Sequence, residues 1–289
     1  MSAVVARRRG GAPARRRAAS RHDIAFARHV LAGLSAPNKS IAGRWCLDAR
    51  GLALQQAIER ADAAHPARLE RALLASAAGA IAEIAGANAR LLALGDADSR
   101  GLAVLRAAIE RLGVAPTRAG ARRRVLLVPG SVSAAMPSDA ATCARLRQAA
   151  LQGRHDVLIV AAAALCDPAS VAAADAECAL LRSELGRNLL LRMRSELGAD
   201  LDAAGFERRL RFDPQRQCIE TTLVGRGAQR IRVLGRSFDC ADGEPILVER
   251  AHQNGLARFQ QLAADAGWSH AQRWVDSNAR FAIHVLERD

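Results

Sequence analysis

From Leu91 to Ala164 the chain switches repeatedly between short apolar runs and stretches with apolar residues at three- and four-residue intervals, and few architectures accommodate that alternation. Leu91 to Leu94 is a short apolar run closed by Gly95, and Leu102 to Leu112 returns to helical spacing. Arg124 to Val128 is a second run, closed by Pro129 and Gly130. Pro137 and Ser138 then open a helical stretch to about Gln152, and Asp156 to Ala164 is apolar enough to be buried on both faces. Strand, helix, strand, helix, strand is the order of a parallel sheet with helices on both faces.

The flanks complete an α/β reading. Leu52 to Asp62 and Ala67 to Asn88 read as amphipathic helices, with Gly86 and Asn88 as the stop. Pro168 to Asp200 is helical in pattern, and the pentapeptide Arg-Ser-Glu-Leu-Gly at Arg182 and Arg194 is too short and too few to make a solenoid. After Phe206 the character changes. Arg209 to Phe212, Gln217 to Val224 and Gln229 to Leu234 are short alternating segments broken by Gly and Pro, which predicts an antiparallel patch. Leu256 to Ala266 predicts a helix and Arg280 to Leu286 a final strand. The division expected is a basic disordered tail over 1–36, an α/β core with N-terminal helices over 37–200, and a β-rich segment with a terminal helix and strand over 201–289.

The net charge of +13 points toward an anionic partner until its distribution is considered. Seven arginines fall between Arg7 and Arg21 before the first acid, Asp23, so the remainder carries about +6 among acids at helical spacing. That assigns the excess to a solvated tail rather than to a nucleic-acid site. The longest apolar runs are about half a membrane span, no secretory signal is visible, and a cytoplasmic location is the default. Six widely spaced cysteines and scattered histidines give neither a disulfide framework nor metal-ligand spacing, so no metal is expected. There is no tyrosine in the chain, which excludes any mechanism that needs a phenol.

Candidate chemistry lies at the ends of the predicted strands. The turn from Gly95 to Gly101 sits where nucleotide-binding folds place a glycine-rich loop, but Asp96 and Asp98 repel phosphate and leave a cationic or neutral ligand, such as the methionine half of S-adenosylmethionine, less disfavoured. The plain alternative is a helix cap at Asp98 or Ser99. Pro129-Gly130-Ser131 ends the next strand, and reads either as a ligand turn or as a turn alone. Glu249 ends an apolar run, where it is either an ammonium-binding carboxylate or an exposed strand end.

Several segments together resemble the histidine-specific S-adenosylmethionine-dependent methyltransferases. These are Lys39-Ser40-Ile41, Leu47-Asp48-Ala49-Arg50-Gly51, His65 to Arg71, Leu94-Gly95, Val128-Pro129-Gly130-Ser131 and Asp167-Pro168. They continue with Arg187-Asn188-Leu189-Leu190, Glu196 to Asp200, Phe206, Ile219-Glu220 and Gly243-Glu244 with Ile246 and Glu249. Ala266-Gly267-Trp268, Trp274, Asp276 and Phe281 close the series. The resemblance implies a Rossmann-like sheet, a cofactor site at Gly95, Ser99, Gly130 and Ser131, and an amine or amino-acid substrate near Asn188, Phe212 and Glu249.

Departures from the family pattern fall on its chemistry. Ala97 replaces the second glycine of the cofactor loop and Gly101 its lysine, while Ala134 and Ala135 replace glycine and asparagine after Gly130-Ser131. Gly186 stands where the family has the asparagine that grips the substrate, Phe212 lacks a hydroxyl, and Ala251 replaces a serine beside Glu249. Between Ile109 and Arg124 the family's two further strands, with the acids that hold ribose and adenine, are absent. The resemblance therefore implies a methyltransferase sheet short of two strands, weak or lost S-adenosylmethionine binding, and impaired or lost methyl transfer with no catalytic residue assignable. The alternative is a non-catalytic binding or scaffolding module that pairs through an uncovered sheet edge with a second copy or another protein.

Overall fold

The computed structural model describes residues 21–86, 89–93, 99–111, 123–134, 136, 138–151, 156–164, 168–253 and 255–288. Its main sheet has strands β1 (Arg90–Ala93), β2 (Arg124–Val128), β3 (Asp156–Ala163), β9 (Ser269–Val275) and β10 (Phe281–Glu287), in the order β1-β2-β3-β10-β9. The first three are parallel, and β10 runs antiparallel between β3 and β9. The interior strands are the most apolar ones. Alternate residues of β2, β3 and β10 sort to opposite faces, which is why their sequences read as continuous hydrophobic runs.

Helices α3 (Pro66–Ala85) and α4 (Ser99–Arg111) cover one face, where Leu74, Ile81 and Leu105 meet Leu127, Ile159 and Ile283. On the other face, α6 (Asp139–Leu151) and α9 (Leu256–Asp265) bring Leu146 and Phe259 onto Leu126, Leu158 and Leu286. The chain is thus an α/β protein with a Rossmann-like sheet, and among the described residues β1 is its edge, paired with β2 alone. Twelve residues separate Arg111 from Arg124.

A second layer is built from α1 (Arg21–Ser35), α2 (Ala49–Ala61), α7 (Pro168–Glu177), α8 (Ala179–Leu197) and an antiparallel sheet of β4 (Phe206–Asp213), β5 (Cys218–Gly225) and β8 (Pro245–His252). The hairpin β6 (Gln229–Val233) and β7 (Arg236–Cys240) is appended to it. The β-rich segment expected after Phe206 is therefore present, enlarged by β7, β8 and β9. The expectation of disorder to residue 36 fails over 21–35. Phe26, Val30 and Leu34 recur every four residues and are buried against Trp45, Leu189 and Met193, so apolar spacing overrides local charge there. Residues 1–20 lie outside the described ones. The long helix expected from Pro168 is divided at Cys178, and Gly198, at φ +64°, closes α8 in the left-handed conformation.

No helix among the described residues is long and apolar enough to cross a membrane. The five described cysteines, Cys46, Cys143, Cys178, Cys218 and Cys240, are free thiols.

Candidate functional site

Open α/β sheets bind ligands outside the carboxyl ends of their strands. Gly95, after β1, lies outside the described residues, and Ser99 is the first residue of α4. After β2 the chain turns at once into the short helix α5 (Gly130–Ala134), which packs against α3, β3 and β8. Gly130 is buried and Ser131 is exposed beside it. The Gly130 N–H donates to Oε2 of Glu70 on α3 at 3.0 Å, and the Ser133 hydroxyl donates to the Ala161 carbonyl at 2.6 Å. A Cβ at Gly130 would stand 2.7 Å from Cζ of Phe281, so the close approach of α3, α5 and β10 requires glycine.

The antiparallel sheet carries a defect in register between β5 and β8. Leu247 pairs with Thr222 and Glu249 with Thr221, leaving Val248 as an extra residue. This bulge moves Glu249 onto the face shared by Ile246, Thr221 and Ile219, where Phe212 also lies opposite Ile219. Phe212 is half-buried and Glu249 exposed. The structure therefore brings Phe212, Glu249 and Ala251 onto one surface, and the strand that carries Glu249 packs against the α5 turn of Gly130 and Ser131. His252 at the end of β8 pairs with Asp139 at 3.2 Å, and Arg258 donates to the same carboxylate at 2.7 Å, which ties this sheet to α6 and α9. Burial pushes the Asp139 carboxyl up, but hydrogen bonds from Arg258 and His252 outweigh it and hold it below the usual range.

Asn188 is 2 % exposed, and its amide is engaged within the protein. Nδ2 donates to the Cys46 carbonyl at 2.9 Å and to Oδ1 of Asp48 at 2.7 Å, while Oδ1 accepts from Arg50 at 3.5 Å. These bonds fasten α8 to the N-terminal segment. Burial raises the Asp48 carboxyl, yet the Gly51 N–H, the Asn188 amide and Arg192 hold it below its ordinary value. An open groove of about 730 Å³ runs beside them, lined by Asp48, Arg50, Asn188, Arg192, Arg194 and Ser195. Two residues before Asn188, Leu223 comes within 3.2 Å of where a Cβ on Gly186 would be. The space a longer side chain would need at that position is taken by β5.

Sequence reasoning missed two clusters. Glu70 carries no local mark of its role, because its partner Gly130 is 60 residues away. Asp213, Cys218 and Glu220 gather ligand atoms within 4.8 Å of one another, a spacing suited to a metal. Their charge is already matched: Glu220 accepts from Arg211 at 3.0 Å and Arg250 at 2.6 Å, and Asp213 from Arg216 at 2.9 Å. Three guanidiniums around two carboxylates oppose a divalent cation.

For S-adenosylmethionine, the residues at the strand ends fit the amino-acid half. They offer a buried glycine turn that admits no side chain.

Comparison with known proteins identifies a family and several similar chains. A protein family described as "Histidine-specific methyltransferase, SAM-dependent" matches residues 26–115 and 110–288. A histidine N-alpha-methyltransferase of Mycolicibacterium smegmatis is 26% identical over 309 aligned positions, covering 91% of this chain and 95% of that protein. Among solved structures, the CcbJ methyltransferase from Streptomyces caelestis is 15% identical, with 73% of this chain and 89% of that one covered at a TM-score of 0.38. A SAM-bound amino pentose methyltransferase from Micromonospora echinaspora is also 15% identical, with 82% and 97% covered at a TM-score of 0.38. With the family match spanning nearly all of the described fold, from α1 through β10, the chain belongs to the histidine-specific, SAM-dependent methyltransferases.

Proposed function

We propose that this methyltransferase keeps the half of its cofactor site that faces methionine and has lost most of its grip on adenosine, so that cofactor binding is weak and methyl transfer to a small amine or amino acid is impaired. The observation that carries the reading is the described sheet edge at β1, with twelve residues between α4 and β2 where the family's adenosine-binding strands would be. S-adenosylmethionine, when bound, supplies a methyl group on a sulfonium to a nucleophilic amine. Gly130 and Ser131 would border its amino-acid half, with Gly95 and Ser99 on the neighbouring turn. Phe212 and Glu249 offer an acceptor an apolar surface and a carboxylate, without a phenol to orient the amine. Each lost hydrogen bond costs about 1 kcal/mol, and several together weaken binding by orders of magnitude. The misplaced amine costs rate as well as affinity.

Calorimetric titration of the full chain with S-adenosylmethionine and S-adenosylhomocysteine tests this. Dissociation constants near 1 mM, with slow or undetectable methylation of histidine and related amines, are expected. Micromolar binding with ready turnover would overturn the impaired reading, and no binding at about 10 mM would overturn retention of the site.

A second reading follows from the same edge. Leu91 and Leu92 on β1 are only half-buried, where an interior strand of a parallel sheet would be covered. Pairing of β1 with a second copy would cover them and make the chain a non-catalytic scaffold. Sedimentation of a single monomeric species up to about 100 µM would count against it.

A further inference from the structure

We infer that the methyl acceptor is an amine with an apolar body, such as an arylalkylamine or an amino acid with an aromatic or branched side chain, rather than histidine. The inference rests on the acceptor surface proposed above. Across β4, β5 and β8 the pairing sets Phe212, Ile219 and Ala251 in one row and Leu210, Thr221 and Glu249 in the next, all on one face. Phe212, Ile219, Ala251 and Leu210 are half-buried, and an imidazole laid on them gives up water without gaining hydrogen-bond partners. The row beyond is closed by α8, where a Cβ on Gly186 would lie 3.2 Å from Leu223 and 3.8 Å from Arg208. On the β8 side, a Cβ on Gly43 would lie 3.9 Å from that of Glu249, so the short helical turn Gly43–Cys46 borders the carboxylate. The two rows form a shelf about 10 Å across three strands and about 7 Å along them, room for one ring on a short chain.

Charge selects the other end of the ligand. The opposite face of this sheet matches its own charges, with Arg211 and Arg250 on Glu220 and Arg216 on Asp213. Arg208 donates to Asp175, Arg192 is clamped to Glu196, and Arg44 lies over the Trp45 ring at 5.2 Å. The Glu249 carboxylate has neither an ion pair nor a hydrogen-bond partner among the described residues. One unmatched carboxylate at the rim of an apolar shelf favours a cation that carries an apolar group. A charge-assisted hydrogen bond to such a carboxylate is about twice as strong as a neutral one.

The full chain is titrated calorimetrically near neutral pH with 2-phenylethylamine, histamine and 2-phenylethanol, with and without S-adenosylhomocysteine. 2-Phenylethylamine is expected to bind about tenfold tighter than histamine. Glu249→Gln is expected to weaken 2-phenylethylamine about tenfold, to leave 2-phenylethanol within about twofold, and to melt within about 2 °C of the wild type. Histamine binding as tightly as 2-phenylethylamine overturns the apolar class and leaves the acceptor surface standing. An equal or absent effect of Glu249→Gln on both phenyl ligands overturns the role of the carboxylate. Should that variant unfold, equal affinity of the wild type for 2-phenylethylamine and 2-phenylethanol does the same. Binding of none of the three up to about 50 mM overturns both the class and the surface. The cofactor-free titrations read the shelf alone, so they stand whichever way S-adenosylhomocysteine decides the proposed weak cofactor site.

Discussion

His284 sits in the middle of β10, 1 % exposed, with its ring 4.3 Å from that of Phe259 and its Nδ1 3.4 Å from Nε2 of His270. Burial, reinforced by His270 and Arg273, pushes it down from 6.5 to about 3. The folded protein therefore holds this imidazole neutral in a pH range where the unfolded chain protonates it. Stability from this group is full above pH 6.5 and falls as the pH drops toward 3, by about 1.4 kcal/mol per pH unit at most. Urea unfolding at pH 7 and pH 5 should show His284→Leu losing less stability on acidification than the wild type. Gly130 is equally intolerant for a steric reason. Gly130→Ala places a methyl against Phe281 and is expected to cost about 1–3 kcal/mol, read from a shifted denaturation midpoint.

At the scale of elements, α8 is fastened to the N-terminal segment of its own layer through polar ties as well as apolar packing. Arg192 donates to the Trp45 carbonyl at 2.6 Å and lies over the Phe26 ring at 4.9 Å, while Asn188 binds Cys46 and Asp48. Asn188→Ala leaves the Cys46 carbonyl unpaired and is expected to destabilise by about 1–3 kcal/mol in chemical denaturation. Gly186→Asn, which restores the residue type of the family pattern, is expected to destabilise by a similar amount and to leave ligand affinity unimproved, because Leu223 occupies the space. Some of these elements were readable in advance. Phe26, Val30 and Leu34 carry the spacing of α1 openly, but the arginines before them mask it. β7 and β9 are rich in polar residues and β8 runs from Ile246-Leu247-Val248 into polar ones, so their strand state depends on partners rather than on propensity.

For the whole molecule, the proposed weak hold on adenosine has a thermodynamic consequence. A ligand that binds with a dissociation constant near 1 mM stabilises the fold by only about 0.4 kcal/mol at 1 mM, so S-adenosylhomocysteine at that concentration should raise the melting temperature by less than about 2 °C. A rise of 5 °C or more would overturn the proposed weak hold on adenosine. Among the described residues the amides of β1 are paired on one side only, and hydrogen exchange there should be faster than in β2, β3 and β10.

The parallel sheet and its helical layers were determined by the sequence alone, because strands covered on both faces announce themselves as uninterrupted apolar runs, as in Val125 to Val128 and Val157 to Ala164. The turn into α5 at Gly130 and Ser131 was likewise legible from residue order. The arrangement of the site was decided only in three dimensions. Glu70 meets Gly130 across 60 residues and Asn188 meets Cys46 across 142. The extra residue Val248 turns Glu249 toward Phe212. Each of these depends on which surfaces the core packs together, a long-range outcome to which local spacing is blind.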